Sequence, residues 1–166
     1  MSLFPPDIEA TAAKIIADFT AKGLMVVTAE SCTGGLIAGA LTEIAGSSAV
    51  IDRGLVTYTN EAKAEILGVS DQTLKTFGAV SRETALEMAA GSLKNSRAQI
   101  SVAVTGIAGP GGGSEKKPVG LVHLAAGNRD GKTLHREMRY GDIGRSEVRL
   151  ATLRTAFEML QDIAHS

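Results

Sequence analysis

The sequence predicts an α/β protein: a three-layer α/β/α sandwich around a mixed, mostly parallel sheet of about five strands. Three observations predict it. Apolar runs of strand length alternate with segments of helical periodicity, the pattern of a sheet covered by helices on both faces. The first such run, Leu24-Met25-Val26-Val27, is apolar throughout, as in a strand buried on both sides. Late in the chain, two strand-like runs flank Asn128-Arg129-Asp130-Gly131, a hairpin signal that makes at least one strand antiparallel.

The elements follow in order. A first helix begins near Pro6 and Asp7, and Ile8, Ala12, Ile15, Ile16 and Phe19 form one apolar face. Gly23 ends it as a C-cap residue. The strand over residues 24–30 comes next, then a helix from about Thr33 to Thr42 rich in Gly, Ala and Leu. Residues 49–58 read as a second strand, with Gly54 breaking it as a bulge. Short helices are expected over 60–67 and 71–77, and Ser81 is a good N-cap for a helix running to about Leu93. Residues 99–105 form a third strand, followed by the glycine-rich stretch GIAGPGGGSEKKPVG. The hairpin strands cover 119–126 and 133–140. The last helix starts near Asp142 and buries Leu150, Leu153, Phe157, Leu160 and Ala164.

At 166 residues the chain fits one domain, 1–166, with no internal repeat or linker. Its net charge of −1 argues against a general nucleic-acid binder, which carries a basic surplus. Aromatic residues are 4% with no tryptophan, a poor platform for stacking bases. Cys32 is the single cysteine, so no internal disulfide forms and a reducing compartment, the cytoplasm, is expected. The opening MSLFPPDIEA lacks the basic and apolar regions of a secretory signal. No apolar run reaches the roughly 18 residues of a membrane span.

Ligands of open α/β sheets gather beyond the carboxyl ends of the strands. Three segments are expected to meet there. They are Glu30-Ser31-Cys32-Thr33-Gly34-Gly35, then Tyr58 to Lys63, then Thr105 to Gly113. Ser31 precedes a helix whose first N–H groups lack internal partners, and such groups hold a phosphate or a developing oxyanion. Gly34 and Gly35 remove side chains that would block an approaching ligand. Equally, Ser31 or Thr33 fits a simple N-cap, with the glycines serving helix packing.

A serine nucleophile needs a base. His123 and His135 fall within expected strands and His165 is penultimate, so lysine is the substitute. Lys63 acts as a base only if burial or nearby charge lowers its pKa from about 10.4. A solvated helix residue is the plainer reading of a lone lysine. Tyr58 is placed to relay a proton or hold the lysine. Cys32 is a rival nucleophile, or a buried inert thiol.

The glycine-rich stretch is not a Walker loop, because no G-K-[ST] closes it. It is not a dinucleotide fingerprint either, because it leads to a strand. An anion nest near Lys116 and Lys117 and a flexible connection both remain open. No His/Cys/Asp/Glu cluster has metal-ligand spacing, and no metal or cofactor is expected.

Together, TAESCTGG, GLVTYTNEAKAEILGV, the GAVS of residues 78–81 and TGIAGPGGGSEKKPVG resemble the CinA C-terminal domain family, over about residues 8–164. Stand-alone members of that family are nicotinamide mononucleotide amidohydrolases. The resemblance implies conversion of nicotinamide mononucleotide to nicotinate mononucleotide and ammonia, without metal or cofactor. It puts the nucleophile on Ser31, the base on Lys63 and a helper on Tyr58. Substrate-facing residues are then expected at Glu30, Thr33, Gly34 and Gly35 of the first segment, and at Thr105 and Gly106 opening the third. Gly109, Gly111 and Gly112 of the loop and Arg145 of the last helix complete the set. The extra N-terminal domain of two-domain relatives is absent, so its activity is not implied. A homodimer or other homo-oligomer is expected, with no membrane and no nucleic-acid partner. The competing reading is a non-catalytic nucleotide-binding or interaction module, kept open by the family's association with competence and DNA repair.

Overall fold

Each strand of a sheet presents two faces, and the chain covers both. Five strands form one sheet in this computed structural model, which describes residues 1–166: β1 (Val26–Glu30), β2 (Ile51–Val56), β3 (Ile100–Gly106), β4 (Leu121–Asn128) and β5 (Thr133–Arg139). Their order is β2-β1-β3-β4-β5. β1 pairs in parallel with β2 and with β3, and the β4–β5 hairpin adds on in antiparallel fashion. Only β4 runs against the others, so the sheet is mixed and mostly parallel, as predicted.

Helices α1 (Pro6–Lys22), α2 (Leu36–Thr42) and α6 (Arg145–Ala164) cover one face. Their large apolar side chains meet Ile100, Val102 and Val104 of β3 and Val122, Leu124 and Ala126 of β4. Helices α3 (Asn60–Leu67), α4 (Asp71–Phe77) and α5 (Arg82–Lys94) cover the other. There the strands present alanine, at 29, 103 and 125, to Ala85, Met88 and Ala89 of α5. The period-2 alternation of strand side chains thus sorts bulky residues to one face and small ones to the other.

Every expected element forms, with several ends shifted. α2 begins at Leu36, not Thr33, because Gly34 (φ 59°) and Gly35 (φ 104°) occupy the left-handed region and hold the chain in a turn. β2 spans Ile51–Val56, shorter than residues 49–58 and preceded by a 3₁₀ turn at Ser47–Ala49. The bulge lies at Asp52, where neighbouring Val26 and Val27 pair with Ile51 and Arg53, and not at Gly54. Gly54 answers a packing need: a Cβ there would lie 3.0 Å from both Ala38 Cβ and Thr28 Oγ1. β4 starts at Leu121, after a tight approach between Gly120 and Gly141, and α6 starts at Arg145, after Gly144.

Parallel pairing puts the carboxyl ends of β2, β1 and β3 on one edge. The ladder continues past those ends, with Ser31 N–H donating to Val104 O at 3.1 Å and Thr57 N–H to Glu30 O at 2.9 Å. Ser31 therefore leaves the middle strand between the loops that follow its two neighbours. No helix is long and apolar enough to cross a membrane.

Candidate active site

Glu30 builds the turn that follows β1. Its carboxylate is fully buried and faces no cation. Oε1 accepts Thr33 Oγ1–H at 2.6 Å and Ile37 N–H at 2.9 Å, and Oε2 accepts Ala38 N–H at 3.1 Å. Glu30 thus caps α2, where a negative charge suits the unpaired N–H groups of a helix start. Neither Ser31 nor Thr33 is the cap; the N-cap position is Gly35, which has no side chain to offer. Within the turn, Ser31 O accepts Gly34 N–H at 3.0 Å. The N–H groups of Cys32 and Thr33 donate to no group of the chain.

Lys63 lies one turn into α3, whose start is capped by Thr59 Oγ1 accepting Ala62 N–H. Its side chain runs inward and is only 1% exposed. Nζ donates to Ser31 Oγ at 3.0 Å, to Thr57 O at 2.9 Å and to Tyr58 O at 3.2 Å. Burial, with no carboxylate alongside, holds the lysine pKa below its ordinary value. Cys32 points the other way, into the apolar cluster shared with α1, α2 and α6. Burial pushes its thiol up to about 11, so it stays protonated near neutral pH.

Ser31 and Lys63 open onto a cleft of about 250 Å³ that also takes in Tyr58, Ala79, Val80 and Thr105 to Ala108 as lining. Gly109, Gly111, Gly112 and Arg145 form its outer wall. Thr105 Oγ1 is tied to Ala79 O at 2.8 Å, which joins the third segment to the loop before α5. Gly106 has to be glycine: a Cβ would lie 2.6 Å from Val122 Cγ2 and 2.9 Å from Leu121 O. Beyond it, the backbone N–H groups of Ala108, Gly109, Gly111, Gly112 and Gly113 have no partner in the chain. Gly111, Gly112 and Gly113 also wall a second hollow of about 560 Å³, bordered by Arg139 and Asp142 and reached by neither Ser31 nor Lys63.

The three expected segments therefore converge, but their residues divide. Ser31, Lys63, Tyr58, Thr105, Gly106, Gly109, Gly111, Gly112 and Arg145 meet at the cleft. Glu30, Thr33, Gly34 and Gly35 do not line it. Glu30 and Thr33 are spent on each other beneath the turn, and Gly34 and Gly35 bend the chain toward α2. Tyr58 splits in two: its carbonyl accepts Lys63, while its exposed phenol accepts Arg145 Nη2–H at 2.9 Å and bonds to neither Ser31 nor Lys63. Arg145 also donates to Gly109 O at 2.7 Å, so it straps the cleft mouth. Sequence reasoning missed Ala79 and Val80 as walls, although they belong to the GAVS motif. It missed Arg149 altogether, whose contacts are more than a hundred residues away. His123 and His135 sit together on the β4–β5 hairpin, Nδ1 to Nε2 2.9 Å apart, and line neither the cleft nor the second hollow. No group of three or more metal-ligating side chains gathers in the fold.

Comparison with known proteins follows the same outline. The family model of the CinA C-terminal domain matches residues 8–164. A nicotinamide-nucleotide amidohydrolase PncC of Enterobacter agglomerans is 54% identical over 138 residues, 82% of this chain and 83% of its own. A protein of Acetivibrio thermocellus named for competence-damage induction is 47% identical over 155 residues, 93% of this chain. The match takes up only 36% of that protein's length. The crystal structure of the competence/damage inducible protein CihA from Agrobacterium tumefaciens superposes with a TM-score of 0.98 at 72% identity, covering 99% of each chain.

Proposed function

We propose that this chain, which belongs to the CinA C-terminal domain family, is a serine amidohydrolase that deamidates nicotinamide mononucleotide in pyridine-nucleotide recycling. The observation that carries the reading is the 3.0 Å contact between Ser31 Oγ and a buried Lys63 Nζ at the floor of the cleft. The substrate follows from relatives named as nicotinamide-nucleotide amidohydrolases. We take residues 1–166 as one domain that works in the cytoplasm as a homodimer or other homo-oligomer, an assembly that light scattering reads directly.

A neutral amine has two hydrogens and one lone pair. In Lys63 the carbonyls of Thr57 and Tyr58 take the two hydrogens, which leaves the lone pair for Ser31 O–H. Burial shifts Lys63 toward the neutral form that a free lysine lacks near pH 7. Ser31 Oγ bonds to the carboxamide carbon as its proton passes to Nζ. The carbonyl electron pair moves to oxygen, and the free N–H of Cys32, a residue that lines the cleft, receives that charge. The protonated lysine then gives its proton to the amide nitrogen, the C–N bond breaks and ammonia leaves. Water attacks the ester, again losing its proton to Lys63, and Ser31 departs with that proton. The balance is amide plus water to carboxylic acid plus ammonia. The unpartnered N–H groups of Gly109, Gly111 and Gly112, beside Arg145, suit the 5′-phosphate.

The test is ammonia release from nicotinamide mononucleotide by purified protein in chelator, beside Ser31→Ala. Release by the unaltered protein alone is expected. Equal release by both removes the serine mechanism. Release by neither, with both folded, turns the reading toward a binding module.

A further inference from the structure

We propose that Arg149 is a positioning residue that holds the turn after Ser31 so that the free N–H of Cys32 receives the oxyanion. The inference rests on the serine chemistry above and deepens it. Arg149 lies on α6, and its side chain crosses to the Ser31 turn. Nε donates to Cys32 O at 3.0 Å and Nη2 to Thr33 O at 3.2 Å. No carboxylate pairs with this guanidinium, so its charge is aimed at the two carbonyls. The guanidinium rests against Gly34, where a Cβ would lie 3.4 Å from Nη2.

The peptide geometry gives these contacts their meaning. In a trans peptide the N–H points opposite to the C=O. Ser31 O is turned toward Gly34 N–H, which directs Cys32 N–H the other way. The Thr33–Gly34 peptide that supplies the Gly34 N–H turns its carbonyl, Thr33 O, toward Arg149, so the guanidinium braces the bond that sets the direction of Cys32 N–H. Cys32 N–H is unpartnered and directly follows Ser31. A cation on a carbonyl also polarises its peptide and strengthens the N–H at the other end as a donor. Lysine cannot reproduce this, because the two bonds come from one planar fork. Arg145, one helical turn earlier, holds Gly109 O and the Tyr58 phenol on the far wall. The first turns of α6 thereby brace both sides of the cleft.

Arg149→Met and Arg149→Lys, compared with the unaltered protein, test this by two rates. One is turnover of nicotinamide mononucleotide. The other is phosphonylation of Ser31 by a fluorophosphonate, whose tetrahedral adduct places an oxygen where the oxyanion forms. Arg149→Met is expected to lower kcat and the phosphonylation rate together, each by roughly 10- to 100-fold, a share of what losing an oxyanion donor outright costs. KM should stay within about two-fold, because the interaction is made in the transition state. Arg149→Lys should fall between. Unchanged rates in a folded Arg149→Met overturn the inference. So does a raised KM with kcat kept, which would make Arg149 a substrate contact. If Arg149→Met fails to fold, Arg149→Lys decides: a rate deficit at unaltered Tm supports the role, and full rate at that Tm ends it. An unaltered protein that is phosphonylated yet releases no ammonia refutes the substrate, and Arg149 is then judged by phosphonylation alone.

Discussion

Lys63 Nζ lies 3.0 Å from Ser31 Oγ, and two backbone carbonyls complete its hydrogen bonding. A buried ammonium normally finds a carboxylate. Here it finds only neutral acceptors, and burial with no counter-charge holds its pKa down.

Removing either partner should remove the chemistry and leave the fold. Ser31→Ala is expected to lower kcat by about 10³-fold or more, as for a nucleophile acting as part of a unit. Lys63→Met should lower it by roughly 10²- to 10⁴-fold, the range for a lost general base. Cys32→Ala should keep kcat within about an order of magnitude, since a protonated, core-packed thiol takes no part. Steady-state ammonia release with the three variants separates a serine from a cysteine mechanism.

The pH dependence follows from the direction of the lysine shift. kcat/KM should rise with pH and level off below the ordinary lysine value of about 10.4. A midpoint at or above that value would exclude Lys63 as the base. Stability carries the same sign. Between the lowered folded pKa and about 10.4 the unfolded chain binds the extra proton, so stability rises with pH through that window. Lys63→Met lacks this contribution. The Tm of the unaltered protein should therefore gain on that of the variant as pH rises from neutral toward 10.

Glu30→Gln tests the cap beneath Ser31. The amide keeps one acceptor oxygen and turns the other into a donor, so one side of the Thr33, Ile37 and Ala38 set loses its acceptor. A loss of about 2 kcal/mol is expected, the scale of a hydrogen bond to a charged group. Denaturant unfolding measures it. Because Glu30 steadies the turn that carries Ser31, kcat should fall as well, although Glu30 does not line the cleft.

Gly91→Ala tests the seat of the lysine. A Cβ on Gly91 would stand 1.7 Å from the backbone oxygen of Leu67, the last residue of α3. Backbone cannot rotate aside as a side chain does, so α3 and α5 must separate, at a cost of about 3 kcal/mol or more. Lys63 rides on α3, so the variant should lose kcat at temperatures where it remains folded. Full activity in a destabilised variant would mean that the helix spacing does not set the lysine's position.

Much of the fold was legible because its signals are local. The bounds of α3 and α4 agree with the sequence reading, since Thr59 and Ser70 cap their starts within three residues and Gly68 and Gly78 end them. The five apolar positions of α1 are all buried, as their spacing predicted. The start of α2 was not legible, because its cap is a carboxylate at the end of the preceding strand, seven and eight residues from the N–H groups it accepts. For the same reason the sequence alone places Glu30 at the substrate, whereas its carboxylate is taken up by that cap. The sequence leaves Tyr58 either to relay a proton or to hold the lysine, because it gives a side chain's address and not its direction; in the fold the Tyr58 carbonyl holds Lys63 and the phenol holds Arg145.

The sequence by itself determined the alternation of strands and helices, the three loops that meet at one edge and the residue types available there. Local periodicity, caps and glycines write these into neighbouring positions. The tertiary structure alone decided that Lys63 is buried against Ser31, that Cys32 faces the core and that Arg149 reaches the Ser31 turn. Each of those depends on surfaces brought together from distant parts of the chain. Burial and the direction of a hydrogen bond exist only once those surfaces have met.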